Sequence, residues 1–236
     1  MLALQASIGA LNDLFDIEDD RRVKPAKPLV SGAVERGVAR TVVVAGLGVG
    51  LGLASISGPG TVALAAAGAG AGYLYDVRLK RTAWGPLAFA VGVPILPVFG
   101  WFGAVGSLPN IFAAMVPAAV PAGFALALAN ALADALDDRA AGVATAVTRL
   151  GSWPAWWAHL AALGATVAIA LATLIGRGPQ SPGVWIVAAG CGVVGLGVLA
   201  ARPGSWSRRP HGWEMEAAGL GILAAGWLLA QGVGAG

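Results

Sequence analysis

Seven long apolar stretches, separated by short charged or Gly/Pro-rich breaks, constrain this chain more than any other feature of its sequence. They run at about 38–56, 59–75, 84–104, 109–133, 153–176, 183–201 and 213–233. A helix needs roughly 20 mostly apolar residues to cross a bilayer, and the stretches reach or approach that length. The second is the shortest and is rich in glycine. Helix-breaking residues mark many of the gaps: Gly58-Pro59-Gly60, Ser107-Leu108-Pro109, Gly178-Pro179-Gln180-Ser181-Pro182 and Arg202-Pro203-Gly204. Only 11% of the residues are charged, against about 25% in a soluble domain. A polar shell around a globular core of this size is therefore out of reach. The expected fold is all-α, a polytopic transmembrane helical bundle forming one membrane-embedded domain over residues 1–236. The 36 glycines suit it, because small residues let apolar helices approach where lipid supplies no hydrophobic drive. Cys191 is the lone cysteine and reads as a small packing residue. With two histidines besides, His159 and His211, no cysteine- or histidine-rich metal centre is available.

Charge placement orients the bundle. If the stretches alternate across the membrane, one side receives the loops around 12–37, 76–83, 134–152 and 202–212. The other receives those around 57–58, 105–108 and 177–182. The first side collects Arg21, Arg22, Lys24, Lys27, Arg36, Arg40, Arg78, Lys80, Arg81, Arg139, Arg149, Arg202, Arg208 and Arg209, and the second only Arg177. Lysine and arginine accumulate in cytoplasmic loops, so the first side is expected to be cytoplasmic. The carboxylates cluster there too, leaving one chemically equipped face and segment interiors essentially without charge.

Two carboxylate patterns stand out. Asn12-Asp13-Leu14-Phe15-Asp16-Ile17-Glu18-Asp19-Asp20 places Asp13, Asp16 and Asp20 on one face of a helix. Asn130, Asp134 and Asp138 recur every four residues and form a second stripe, with Asp137 offset from it. The plainer reading of each is a solvated acidic helix end. That accounts for Asp137 and Arg139 but poorly for Asn130, which lies inside an apolar run. Carboxylates crowded on one face repel unless a cation sits among them. Magnesium (Mg2+) takes oxygen ligands and commonly joins carboxylates to substrate phosphates. Two such clusters on one membrane face fit two magnesium ions gripping a diphosphate. Lys80 and Arg81 are the candidate phosphate contacts, although positive-inside topology explains either one equally well.

The run Asn12-Asp13-x-x-Asp16-x-x-x-Asp20 resembles the first aspartate-rich motif of the UbiA superfamily of membrane prenyltransferases, and Asp134-x-x-x-Asp138 resembles the second. Tyr75 with Lys80-Arg81 resembles the tyrosine and Lys-Arg element of the loop between. Lys27-Pro28-Leu29-Val30-Ser31-Gly32 resembles the Arg-Pro-Leu and Ser-Gly stretch after the first motif, with lysine where arginine is frequent. The region around Asn130 to Val143 looks most like an actinobacterial-type branch, related to 4-hydroxybenzoate polyprenyltransferases. The resemblance implies a nine-helix bundle with the first motif between helices two and three and the second between six and seven. The chain then lacks the first helix and part of the second, and is expected to be an N-terminally incomplete domain. It also implies the chemistry, a transfer of a prenyl group from a prenyl diphosphate to a lipophilic or aromatic acceptor. Asp13, Asp16 and Asp20 with Asn12 would hold one magnesium, and Asp134 and Asp138 with Asn130 the other. Lys80 and Arg81, joined by Lys24, would neutralise the leaving diphosphate, with Tyr75 beside them. The expected partners are these substrates and the bilayer of a bacterial cell membrane, not nucleic acid. A CDP-alcohol phosphotransferase also carries aspartates at a membrane face. Its motif places Gly and then Ala-Arg after the first acid pair, and both are missing here. A transporter or inactive scaffold is the third reading, and transporters usually set charge near the bilayer midplane.

Overall fold

The computed structural model describes residues 1–175, 181–204 and 209–232, and these form helices, turns and loops with no strand. The helices are α1 (Leu2–Val23), α2 (Pro28–Ser31), α3 (Arg36–Ile56), α4 (Pro59–Leu74), α5 (Gly85–Val105), α6 (Phe112–Ala133), α7 (Ala135–Ala140), α8 (Ala146–Leu150), α9 (Ser152–Ala172), α10 (Pro182–Ala201) and α11 (Arg209–Ala230). A π-helical turn, Tyr75–Leu79, extends α4. All seven apolar stretches are helices. Arg177 and Arg208, used in the charge argument, lie outside the described residues, as do the predicted ends at 176 and 233.

Five helices, α3, α5, α6, α9 and α10, are long and apolar enough to cross a membrane. The α4 helix has 16 residues, about 24 Å at 1.5 Å per residue, short of a hydrocarbon core of about 30 Å. The α11 helix is long enough, but Glu214 and Glu216 in its first half lower its hydropathy. It also begins four residues before the apolar run that predicted it. Many large apolar side chains point outward, among them Val44 at 72%, Ile56 at 81% and Ile175 at 84% exposed. Patches of that kind are costly in water and ordinary against lipid.

The chain divides into two compact units. The first holds residues 1–80 and 95–109. In it α1 packs along α3 and α4, with the π turn against α1. Its core is Leu4, Ala54, Ala65 and Ala69, ringed by Leu47, Leu51, Val62 and Phe99. A glycine here allows close approach: a Cβ on Gly46 would stand 2.7 Å from the Ala3 carbonyl oxygen.

The second unit holds residues 81–94 and 110–236. Its two main pairings are α10 with α11 and α6 with α9. Leu128, Leu132, Ala135, Val147, Ala155 and Trp156 form a core where α6, α8 and α9 meet. Across α6 and α9, the Thr166 hydroxyl donates to the Ala118 carbonyl at 3.2 Å. The expectation of uncharged segment interiors fails here. His159 of α9 and Glu216 of α11 are both fully buried, with Nε2 and Oε2 2.7 Å apart.

Candidate active site

The α1 helix continues without a break through the acidic run to Val23, so residues that read as the start of a loop are helical. Ile17 is buried between Asp16 and Asp20, which are themselves buried, while Glu18 and Asp19 are exposed. The acidic run is thus divided by helical phase. One face turns inward and carries Asn12, Asp13, Asp16 and Asp20. The other faces out, where Glu18 pairs with Arg21 at 3.0 Å in an exposed i,i+3 contact of small energetic weight.

The inward face meets two lysines. Lys27 Nζ lies 2.7 Å from Asp13 Oδ1 and 2.6 Å from Asp20 Oδ2. Its position follows from the sequence around it. Pro28 favours an extended conformation at the residue before it, and Lys27 has φ −58° and ψ 139°. Proline also suits the first turn of a helix, and α2 ends after one turn at Gly32, whose φ of +79° suits glycine. The Lys-Pro-Leu-Val-Ser-Gly element is therefore a one-turn bracket that returns Lys27 to α1. Burial alone would lower the Lys27 pKa. Its contacts with Asp13 and Asp20 outweigh that, and the ammonium is held above the ordinary lysine value.

Lys80 pairs with Asp16. It directly follows the π turn, and its backbone N–H donates to the Tyr75 carbonyl at 2.8 Å. The same turn carries Asp76, whose Oδ1 accepts the Asn12 Nδ2–H at 2.8 Å. Asp76 is 9% exposed, and its Oδ2 has no hydrogen-bond partner among the described residues. Burial raises its pKa more than the Asn12 hydrogen bond and the Lys80 charge lower it, and the charges of Asp16 and Asp13 add to the rise. Neither Asp76 nor Lys27 figured among the candidate site residues. Lys27 had a signal in its Pro-Leu neighbourhood. Asp76 had only its place beside Tyr75, because its partner lies 64 residues away. Lys24, a candidate phosphate contact, ends α1 with its backbone N–H on the Asp20 carbonyl and its side chain exposed. Tyr75 is half-buried at the start of the turn.

In the second unit, Asp134 stands between α6 and α7. The i+4 ladder passes through this break, since the Asp134 N–H donates to the Asn130 carbonyl at 3.2 Å and the Asp138 N–H to the Asp134 carbonyl at 3.0 Å. The three residues therefore keep their stripe. Leu132 and Ala135, fully buried on either side of Asp134, pin the segment by its opposite face. Asn130 and Asp138 are half-buried, and Asp134 and Arg81 are exposed.

The donors at both motifs are oxygens, which suit magnesium over softer metals. In the first unit the buried Asp76 Oδ2 lacks a hydrogen bond, and lysine ammoniums already balance the carboxylates beside it. Both features fit a cation site. As the side chains stand, no three carboxylate, imidazole or thiol groups among the described residues converge tightly enough to enclose an ion. Asp13, Asp16 and Asp20 are instead shared between Lys27 and Lys80.

A model of the UbiA prenyltransferase family matches residues 1–231. The chain belongs to that family. As a UbiA protein with five apolar helices of spanning length, it is an integral membrane protein. The fold agrees with two solved structures. One is an apo UbiA homologue from Aeropyrum pernix K1, with a TM-score of 0.74 and 21% identity over 97% of this chain and 86% of that one. The other comes from work on digeranylgeranylglyceryl phosphate synthase in membranes, with a TM-score of 0.69 and 18% identity over 97% of this chain and 81% of that one. Comparison with curated proteins finds no match.

Proposed function

We propose that this UbiA protein transfers a prenyl group from a prenyl diphosphate to a lipophilic or aromatic acceptor, with magnesium as its cofactor. The observation that carries the reading is the inward face of α1, where Asp13, Asp16 and Asp20 stand charge-balanced by Lys27 and Lys80. A divalent cation with a bound diphosphate matches the charge and the oxygen donors of that arrangement. Asp13, Asp16 and Asp20, with Asn12, hold one magnesium. Asp134 and Asp138, with Asn130, hold the second. When bound, the metal neutralises the diphosphate and makes it a better leaving group.

The chain's own groups do the rest. Lys80, Arg81 and Lys24 supply positive charge to the diphosphate oxygens, and Tyr75 completes the loop element that carries them. Breaking the bond between the first prenyl carbon and the diphosphate oxygen leaves an allylic cation on the hydrocarbon. Apolar helix walls keep water from it. An electron pair of the acceptor forms the new bond, and the acceptor then releases a proton. Family membership and the α1 geometry both favour this reading over transfer of a CDP-alcohol group. The carboxylate loops are assigned to the cytoplasmic side by their lysine and arginine content.

The test is mass spectrometry of products formed in membranes supplied with prenyl diphosphates of graded length and a lipid-extract acceptor pool. Asp13→Ala and Asp134→Ala should each lower magnesium-dependent turnover by about a hundredfold or more, within the range for losing electrostatic stabilisation at a reacting centre. Asp19→Ala and Asp137→Ala, off the inferred stripes, should stay within a few-fold of the parent. Near-parental turnover in either of the first two variants would remove that residue from the ligand set.

A further inference from the structure

Resting on the magnesium reading above, we infer that Asp76 is a positioning residue of the first carboxylate site, fixing the side-chain amide of Asn12 so that its carbonyl oxygen serves the metal. Asn12, Asp16 and Asp20 are spaced by four on α1 and share a stripe. An asparagine amide presents either an oxygen acceptor or an NH2 donor, and only the oxygen can ligate a cation. Nothing in α1 itself selects between the two orientations. Asp76 does, because an ionised carboxylate only accepts hydrogen bonds. Its Oδ1 takes the Asn12 Nδ2–H at 2.8 Å, and a flipped amide would set oxygen against oxygen.

Three further observations point the same way. Asp76 is nine-tenths buried, and its Oδ2 is without a hydrogen-bond partner among the described residues. A carboxylate in that state is costly unless positive charge stands near it. It lies within reach of the charges of Lys80, Asp16 and Asp13, so it belongs to the same electrostatic cluster as the proposed ligands. Finally, it sits in a π-helical turn, a local widening found frequently at functional sites. One turn of five residues, with Lys80 directly after it, thus serves two α1 side chains: Lys80 pairs with Asp16 and Asp76 with Asn12. Partners that orient metal ligands typically change metal affinity by about tenfold to a hundredfold when removed.

The experiment is Mn2+ binding to the detergent-purified chain, followed by the loss of the free-ion electron paramagnetic resonance signal. It is run with Mn2+ alone and with a non-ionising prenyl thiolodiphosphate. Asp76→Ala should weaken Mn2+ binding by about tenfold or more. Asp76→Asn replaces the acceptor-only carboxylate with an amide that can present either atom to Asn12, and should also weaken binding, by about threefold or more. Asn12→Ala should weaken binding as Asp76→Ala does, and the double variant should be no weaker than Asn12→Ala alone, because the two residues act as one unit. Asp76→Ser, whose hydroxyl is too short to reach Asn12 but keeps the turn polar, replaces Asp76→Ala if that variant does not fold. Parent-like binding by Asp76→Ala or by Asp76→Asn, or additive losses in the double variant, would overturn the inference while leaving the magnesium site intact. Absence of Mn2+ binding by the parent chain under both conditions would overturn the magnesium reading, and this inference with it.

Discussion

A single buried polar contact shows how a residue's surroundings change its meaning. His159 reads in the sequence as a lone histidine in an apolar stretch, and Glu216 as one of two acids near a helix start. Fifty-seven residues separate them, and no local pattern links them. In the fold both are fully buried and in contact, with His159 Nδ1 and Glu216 Oε1 lacking partners among the described residues. Removing one member of a buried pair strands the other, at about 3–5 kcal/mol in water-soluble cores. Helices unfolded within a membrane find other partners, which pulls such costs toward the low end. Glu216→Ala should therefore lower the melting temperature in detergent clearly, and His159→Met with Glu216→Met together should lower it less. A double variant that melts below the single would show that the pair stabilises the fold outright. The carboxylates of α1 teach the same lesson in milder form. Helical phase alone separates Asp16 and Asp20 from Asp19, but nothing near them in the chain announces Asp76.

Among the elements, α10 and α11 show the most specific packing. The α10 helix buries Gly183, Val187, Gly190, Val194, Gly197 and Ala201, a 4-3-4-3-4 spacing. The α11 helix carries Gly212, Glu216, Gly219, Leu223, Gly226 and Ala230 in the same rhythm. That is a heptad seam with glycine at every second step. The contacts run in opposite directions along the two helices, Gly197 meeting Gly212 and Gly190 meeting Gly219, so the pair is antiparallel and backbone lies against backbone. A Cβ on Gly190 would stand 2.5 Å from the Leu223 nitrogen and 2.9 Å from the Gly219 oxygen. Backbone cannot yield there as a side-chain tip would. Gly190→Ala should cost about 1–3 kcal/mol by overpacking, read as a lowered melting temperature. Gly192→Ala, with nothing within 4 Å of the added Cβ, should be neutral or stabilise by up to about 1 kcal/mol through helix propensity. Equal effects at the two positions would mean that the seam is looser than drawn.

For the whole molecule, the governing fact is solvent. An apolar exterior and a shortage of charge commit the chain to lipid, and the distribution of lysine and arginine is the basis of the proposed sidedness of its loops. Within the first unit this predicts opposite exposure for the loop after α1 and the turn after α5. In a Cys191→Ala background, Ala26→Cys should resist a membrane-impermeant maleimide in intact spheroplasts and react after permeabilisation. Ser107→Cys should react in intact spheroplasts. Both positions are exposed on the unit's surface, so access depends on the membrane alone. The reverse pattern would invert the orientation and move the carboxylates of α1 to the outer side.

Apolar run length and charge placement, both local properties, were enough to identify the long helices from α3 onward, the membrane environment and the two carboxylate stripes, but not α1, whose acidic second half read as a loop. Each depends only on residues within a few turns of one another. The limits of that reading also have physical causes. The α11 helix begins before its apolar run because backbone hydrogen bonding does not require apolar side chains. The α4 helix falls short of a full apolar span because Pro59 opens it and the π turn that extends it carries the charged Asp76 and Arg78. Tertiary structure alone decided which side chains meet. It brought Lys27 to Asp13 and Asp20, Asp76 to Asn12, and His159 to Glu216, across separations of 7 to 64 residues. Contacts at that range depend on how helices pack, and helix packing is settled by the shapes of whole faces rather than by spacing along any one of them.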